Sequence, residues 1–155
     1  MLAEIQVLFS YPVSPFGHLI DAVEGAGADP SHSAIFMLGG ILEALDNGFV
    51  KSPLNAYEGR KTTVITVKVP DMEAAEVEAG KLLGTPYGYI DCVNGGLHDL
   101  TGANIPGDGE LTVDCSEAVT RILRAGGLDI LPGLYADCVT PADLLEALTA
   151  LVEAA

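Results

Sequence analysis

The amino-acid sequence predicts an α+β fold, in which a small antiparallel sheet packs against helices. Short apolar or alternating segments, typical of strands, dominate the first half of the 155-residue chain, and the two best-marked helices lie in the second half. Tight-turn signals rather than helices separate the predicted strands, which argues against alternating βαβ units. The length, and the lack of a linker, repeat or low-complexity segment in the sequence, predict a single domain over residues 1–155.

Apolar runs and alternating patterns mark the strands, and turn signals separate them. Strands are predicted at residues 4–9, 32–38 and 41–45, from residue 49 onward, and at residues 62–69. Gly39-Gly40 and Asn47-Gly48 are expected to form hairpin turns. These segments predict most of one sheet before the chain reaches its first long helix.

Each predicted helix has a start signal. Asp71 is expected to cap a helix whose apolar stripe ends at Leu83, and Asp114 to cap a second one, with Glu117 completing a capping box. Thr140-Pro141 predicts the start of a third helix. The apolar face of this third helix is expected to comprise Leu144, Leu145, Leu148, Leu151 and Val152. A short helix is also expected near residues 18–23.

The charge balance excludes several classes of function. Seven lysines and arginines against 22 aspartates and glutamates give a net charge of −15. The sequence has no basic stripe to neutralise phosphates, so nucleic-acid binding is not expected, and an anionic bilayer would repel the chain.

No apolar run reaches the ~18–20 residues of a membrane span, so membrane insertion is not expected. The N-terminus lacks a secretory-signal pattern, which favours a cytoplasmic or virion-associated protein.

The chain has three cysteines, Cys92, Cys115 and Cys138, and their spacing is not that of metal ligands. An odd number leaves at least one free thiol, which suits a reducing compartment or a catalytic role. Cys115 is the strongest candidate for chemistry, because it falls in the first turn of the helix capped by Asp114. Unpaired N–H groups and the helix dipole favour a thiolate there. The competing interpretation is a small core residue on the apolar stripe of the helix.

His32 is the candidate base, because it opens a buried-looking strand just after a loop and should lie at the rim of the sheet. Glu43 is expected on the next strand, where a carboxylate can accept the proton of the far ring nitrogen and fix the tautomer. His18 and His98 compete, but they fall in loop-like or weakly helical segments, which hold a base less firmly. A satisfied structural histidine and a solvent-facing glutamate are the alternative interpretations.

Tyr87 and Tyr89 lie in a turn-rich segment after the first long helix. They are candidates to line a cleft and contact a substrate, and buried packing explains them equally well. Residues 94–109 are rich in glycine but lack the strand-to-helix context and the lysine of a phosphate-binding loop.

Taken in order, these segments resemble a known family. The order comprises Ser31-His32-Ser-Ala-Ile-Phe, Ile41-Leu-Glu43-Ala-Leu, Gly48-Phe-Val-Lys-Ser-Pro-Leu-Asn-Ala-Tyr57, Leu83-Gly-Thr-Pro-Tyr87-Gly-Tyr, Asp114-Cys115-Ser-Glu-Ala-Val and Val139-Thr-Pro-Ala-Asp-Leu-Leu. It resembles that of the circularly permuted NlpC-type, YiiX-like cysteine peptidases and amidases of the papain-like superfamily. The resemblance runs through most of the chain and depends on the ordered set, since no single motif in it is highly specific.

The resemblance implies a papain-like fold in which the cysteine helix lies across the small antiparallel sheet. It implies that Cys115 is the nucleophile, His32 the base and Glu43 the third member of the triad, with Tyr87 contacting substrate near the cleft. The activity it implies is hydrolysis of amide bonds, with a peptide or muropeptide as substrate. It implies no metal and no organic cofactor.

Two other functions are compatible with the sequence. Related permuted members act on lipids or transfer acyl groups, so a lipid-directed thioesterase or acyltransferase is one alternative. The other is a non-catalytic structural or binding module that keeps the papain-like fold, such as a phage tail or virion component, whose partners would be other virion proteins.

Overall fold

The structure, a computed structural model, describes residues 2–12, 29–89, 97–98, 100–108 and 111–155. Its strands are β1 (Ala3–Ser10), β2 (His32–Met37), β3 (Gly40–Leu45), β4 (Gly48–Ser52) and β5 (Thr62–Val69). Its helices are α1 (Met72–Leu82), α2 (Cys115–Ala125) and α3 (Pro141–Glu153), with a 3₁₀ helix at Ala136–Cys138 between the last two. This architecture confirms the predicted α+β class. The short helix expected near residues 18–23 lies outside the described residues.

The five strands form one sheet in the order β4-β3-β2-β1-β5, and every neighbouring pair is antiparallel. β1 is flanked on both sides: Leu8 lies opposite Ala34 of β2, and Ile5 lies opposite Val67 of β5. β2, β3 and β4 follow one another through tight hairpins. The long segment after β4 then returns the chain to the far edge, where β5 pairs with β1.

The β2–β3 hairpin turns one residue earlier than the sequence suggested. Leu38 and Gly39 form the turn, both with positive φ (53° and 74°), and Met37 lies opposite Gly40. A two-residue turn in which both residues have positive φ fits the right-handed twist of the flanking strands. The turn therefore forms at these two residues, even though a positive φ strains Leu38. Gly40 belongs to β3, where a Cβ would lie 2.6 Å from the side chain of Lys51.

One face of the sheet carries the main core, and the helices cover it. α2 contacts β2 and β3 and also packs on α1 and α3, while α3 contacts β5. Four residues of α2 are fully buried in this core: Ala118, Val119, Ile122 and Leu123. A second, smaller cluster comprises Leu8, Ala34 and Ile41, with Phe36 and Tyr57 packed against it. The packing of α2 on β2 and β3 brings its N-terminus into the region of the predicted site.

The predicted helix starts are confirmed, whereas two apolar stripes are shorter than expected. The side chains of Asp71, Asp114 and Thr140 each accept the N–H group three residues further on. Leu83 follows α1 as its C-cap and is exposed. Leu144 and Leu148 of α3 are buried, but Leu151 and Val152 are 39% and 46% exposed, because nothing in the described part of the chain covers the last turn. None of the described helices combines the length and apolar character of a membrane span.

Candidate active site

Cys115 is the first residue of α2 and is nearly buried, with 6% of its surface exposed. The preceding Asp114 has an extended backbone, and its Oδ1 accepts the Glu117 N–H at 2.8 Å. Glu117 Oε2 accepts the Asp114 N–H at 3.3 Å, which completes the predicted capping box. The N–H groups of Cys115 and Ser116, the first two of the helix, have no acceptor within the helix. They place partial positive charge beside the sulfur.

A second contact fixes the start of this helix to the rest of the fold. Ser116 Oγ lies 2.6 Å from the carbonyl oxygen of Val139 and 3.1 Å from Asp114 Oδ1. Val139 directly precedes the N-cap of α3. The beginnings of α2 and α3 are therefore joined by a buried hydroxyl, which limits the movement of Cys115.

His32 and Glu43 come from neighbouring strands. His32 is the first residue of β2, and Glu43 lies within β3. Because Ile35 pairs with Leu42, continuing the register places Glu43 opposite Ala34, two residues from His32, so both side chains share a face of the sheet. His32 Nε2 lies 2.8 Å from Glu43 Oε2, and the carboxylate is 3% exposed. The hairpin thus brings together the imidazole and carboxylate that the sequence analysis singled out.

The same imidazole also contacts the thiol. Burial of the ring opposes its protonation, but hydrogen bonds and electrostatic interactions with Cys115 and Glu43 outweigh burial and raise the pKa of His32 to about 9. Cys115, His32 and Glu43 therefore form one connected set, and the ring carries a proton at neutral pH.

Glu43 is surrounded by hydrogen-bond donors. The Tyr57 hydroxyl donates to Oε2, the oxygen that also binds His32. Burial raises the pKa of Glu43, but hydrogen bonds from His32, Ser52 and Tyr57 and the charge of His32 outweigh it, so that the pKa lies below its ordinary value of 4.5. The group is therefore a carboxylate at neutral pH, despite its burial.

Tyr57 and Ser52 are site residues to which the sequence analysis gave no role. The Tyr57 ring lies almost parallel to the His32 ring, with 6.2 Å between centroids and 15° between planes, and the Arg60 guanidinium lies 4.8 Å from the Tyr57 centroid. Tyr57 reaches Glu43 only through the tertiary fold, whereas Ser52 lies across the β3–β4 hairpin, opposite Ile41 and two positions along from Glu43. The sole sequence signal was that Tyr57 closes one of the segments carrying the family resemblance.

Tyr87, the predicted substrate-binding residue, lies beside the segment that leads into α2. It forms an isolated parallel bridge with Val113, two residues before Cys115, and Gly88 N donates to the Val113 carbonyl at 2.9 Å. The half-buried Tyr87 ring packs edge-to-face on Tyr89, with centroids 5.0 Å apart. This neighbourhood is compatible with a cleft position, and substrate contact by Tyr87 stays a prediction.

The competing candidates are placed differently. His98 Nδ1 lies 3.0 Å from the carbonyl oxygen of Ala103, five residues further along the chain. Cys138 is fully buried, and its Sγ donates to the Ile105 carbonyl at 3.0 Å, which is a structural contact. His18 and Cys92 lie outside the described residues. Among the residues that the structure describes, no group of three or more His, Cys, Asp or Glu side chains is arranged to hold a metal ion.

A second buried charge cluster lies further along α2. Arg121 Nε donates to Glu117 Oε1 at 2.7 Å, and its terminal nitrogen donates to Asp137 Oδ1 at 3.0 Å. Asp137 Oδ2 also accepts the Gly107 N–H at 3.0 Å. Burial and the hydrogen bond with Asp137 raise the pKa of Glu117 and outweigh the attraction of Arg121. We call these three side chains, Glu117, Arg121 and Asp137, the arginine cluster.

The sequence analysis recognised only the capping role of Glu117. The Glu117–Arg121 spacing of four residues is the signal that could have predicted their ion pair, since such residues are neighbours on a helix surface. Asp137 had no such signal, because it reaches the cluster from the 3₁₀ helix.

Comparisons with protein-family models, with curated proteins and with solved structures found no match to this chain. The chemistry of the site itself must therefore carry any functional assignment.

Proposed function

We propose that this chain is a thiol hydrolase of the papain-like, permuted NlpC type, which cleaves amide bonds in peptides of the cell-wall kind. The observation that carries the proposal is the connected set of side chains. A thiol at the first residue of a helix contacts an imidazole, and a buried carboxylate binds that imidazole at Nε2. A catalytic set of this kind is identified by the geometry of its three members, whatever their order in the chain. The members are a nucleophile, a base and a group that orients the base.

The set is suited to nucleophilic attack at neutral pH. The thiol of Cys115 lies against the His32 imidazole, so the ring can hold the proton that the sulfur must lose to act as a nucleophile. Glu43 binds His32 at Nε2 and so orients the ring. The thiolate is the nucleophilic form of cysteine.

The reaction then proceeds in two stages. The sulfur attacks the amide carbonyl carbon, forming a C–S bond and a tetrahedral oxyanion; as this collapses, the C–N bond breaks and the His32 imidazolium gives its proton to the leaving amine. Water then attacks the thioester carbonyl while His32 takes its proton. The C–S bond breaks, the acid is released, and the imidazolium–thiolate pair is restored.

The start of α2 supplies donors for the oxyanion. The Cys115 N–H is one of the two without an acceptor within the helix, and it lies on the residue that bears the attacking sulfur. Backbone donors directed at a developing oxyanion contribute about 10²–10³ in rate each.

The proposal is tested by alkylation with iodoacetamide at pH 6, with each thiol quantified by mass spectrometry. We expect Cys115 to react before Cys92 and Cys138, and His32→Ala to slow its reaction about 10²-fold, as is typical of losing a base. Cys138→Ala is the matched control and should leave Cys115 unchanged, because the Cys138 thiol is fully buried against a carbonyl. Equal rates for all three thiols would contradict the proposal.

Substrate class is tested separately. Purified muropeptides are incubated with the protein and with Cys115→Ala, and the amino groups released are counted. We expect release by the unmodified protein alone. If the protein hydrolyses long-chain acyl thioesters and not muropeptides, its substrate is a lipid rather than an amide. If Cys115 is alkylated selectively but neither muropeptides nor thioesters are hydrolysed, the non-catalytic binding module is favoured.

A further inference from the structure

We propose that Tyr57 is a positioning residue of this site, which acts through Glu43 to hold the His32 ring in the orientation that its contact with Cys115 requires. The inference rests on the proposed function and adds to it a fourth member that never touches the substrate. Its first support is that one oxygen atom, Glu43 Oε2, binds both Tyr57 and His32. A side chain that fixes this oxygen also fixes the imidazole bonded to it.

The second support is the charge that Glu43 must keep. A buried carboxylate with too few donors takes up a proton, because burial penalises its ionised form. A neutral Glu43 would no longer balance the His32 imidazolium. The Tyr57 hydroxyl is one of three donors that lower the pKa of Glu43, and of these only His32 is itself part of the proposed reaction. Tyr57 therefore stabilises the ionised form of the pair.

The third support is that Tyr57 is itself firmly held. Successive turns link Ala56 N to the Pro53 carbonyl at 3.0 Å and Arg60 N to the Tyr57 carbonyl at 3.1 Å. The ring packs against the small cluster on the second face of the sheet, and the Arg60 guanidinium lies over it. A donor fixed by backbone turns, apolar packing and a cation–π contact is preorganised for its acceptor. The exposed segment that follows β4 thus serves to present one hydroxyl to Glu43.

The chain offers a matched control in Tyr11. Its hydroxyl lies 2.9 Å from Thr63 Oγ1, and the Lys61 ammonium lies 4.7 Å from its ring centroid. Tyr11 therefore has the same three features, a phenol, a hydrogen-bond partner and a cation over the ring, but its hydroxyl partner is a threonine rather than Glu43. Tyr57→Phe and Tyr11→Phe each remove one oxygen from comparable surroundings.

The experiment compares steady-state turnover of muropeptides by the two variants across pH. Loss of a hydrogen bond to a charged group is expected to lower kcat about tenfold in Tyr57→Phe, with KM unchanged. The acidic limb of its pH profile should move to higher pH, because Glu43 loses a bond that favours the carboxylate. In a Glu43→Gln background the same substitution should cost almost nothing further, since Tyr57 acts through Glu43. Tyr11→Phe should stay within about twofold of the unmodified protein.

The outcomes separate this inference from the proposed function. If the unmodified protein shows neither selective Cys115 alkylation nor turnover, the proposed function fails and the inference fails with it. If it is active and Tyr57→Phe behaves like Tyr11→Phe, or loses activity additively with Glu43→Gln, only the inference is overturned. Alkylation of the buried Cys138 reports any unfolding of a variant.

A measurement on the unmodified protein covers the case in which Tyr57→Phe does not fold. Burial, the hydrogen bond to Glu43 and the charge of Glu43 raise the pKa of Tyr57 well above its ordinary value of 10.0. In ¹³Cζ-tyrosine NMR, the Tyr57 resonance should keep its neutral position when the pH passes 10.0. Ionisation of Tyr57 at its ordinary pKa would show that the hydroxyl does not bind Glu43, and would overturn the inference.

Discussion

Glu43 and Glu117 are both buried beside a cationic side chain, yet their pKa values move in opposite directions. Glu43, 3% exposed, is paired with His32 and has a lowered pKa. Glu117, fully buried, is paired with Arg121 at 2.7 Å and has a raised pKa. Burial acts in the same direction on both, raising the pKa of each carboxyl group. Burial and ion pairing with one partner therefore do not explain the difference.

The remaining contacts explain it. Besides His32, Glu43 receives hydrogen bonds from Ser52 and Tyr57, both of which donate. Glu117 instead faces Asp137, a second carboxyl group, whose hydrogen bond and negative charge add to burial in raising the pKa of Glu117. The site thus keeps an anion next to the imidazolium. In the arginine cluster, the raised pKa of Glu117 favours its neutral form, which avoids a second buried negative charge.

The largest effect is expected from breaking the arginine cluster. Arg121→Met leaves two buried carboxyl groups without their cation, which should lower the free energy of unfolding by about 3–5 kcal/mol. Urea denaturation measures it. Lys81→Met is the control, because its ion pair with Glu78 at 3.4 Å is at the surface and should contribute less than about 1 kcal/mol. Similar losses in the two variants would show that the cluster is not a strong structural element.

The next effect comes from a pair of isosteric substitutions. Glu43→Gln removes the negative charge that the imidazolium needs and should lower kcat for muropeptides by about 10–10². Glu117→Gln resembles the protonated acid already present, so kcat should stay within about twofold and the free energy of unfolding within about 1 kcal/mol at pH 7. A loss of activity in Glu117→Gln equal to that in Glu43→Gln would show that both carboxyl groups are ionised.

Local signals predicted most of the fold. The capping box at Asp114 and the helix start at Thr140-Pro141 were readable because the residues that signal each of them lie within four residues. The β2–β3 hairpin was placed one residue late, because Gly39-Gly40 marks a turn without saying which glycine belongs to the strand. The buried face of α3 was predicted to be too long. The helical spacing of apolar residues continues through Leu151, whether or not another element covers that residue.

The site was predictable only where a strand or helix start marked it. His32 opens a strand, Glu43 lies across the next hairpin and Cys115 follows a cap, so each had a local pattern. Tyr57 and Asp137 had none, because each reaches its partner through tertiary packing. The sequence therefore indicated the three groups of the proposed reaction but not the surroundings that set their charge.

The pH dependence of stability distinguishes the two carboxyl groups further. A group whose pKa is raised by folding stabilises the fold in full at any pH below its pKa in the unfolded chain, which is 4.5 for Glu117 and 6.5 for His32. This stabilisation is lost as the pH rises through the pKa of the same group in the folded protein. Stability from the lowered pKa of Glu43 is present above 4.5 and is lost as the pH falls through its folded value.

We therefore expect the free energy of unfolding to fall between pH 6.5 and about 9, the window of the raised His32 pKa, with a slope of at most about 1.4 kcal/mol per pH unit for each proton. Glu117→Gln should reduce the loss of stability that occurs as the pH rises. Of the two glutamine variants, only Glu43→Gln should reduce the loss of stability that occurs as the pH falls. Urea denaturation at a series of pH values measures both. An alkaline slope unchanged in Glu117→Gln would mean that Glu117 binds no extra proton in the fold.

The smallest effect is expected from Ser52, the donor to Glu43 that comes from β4. Ser52→Ala leaves His32 and Tyr57 bonded to Oε2, the oxygen that holds the imidazole, so kcat should fall only about twofold to fivefold. Ser33→Ala is the control: it adjoins His32, and its buried hydroxyl has no hydrogen-bond partner among the described residues, so its removal should not lower the free energy of unfolding or kcat. If Ser33→Ala reduced kcat as much as Ser52→Ala does, the loss would arise from disturbing β2 and β3, and the donors around Glu43 would not be what keeps it ionised.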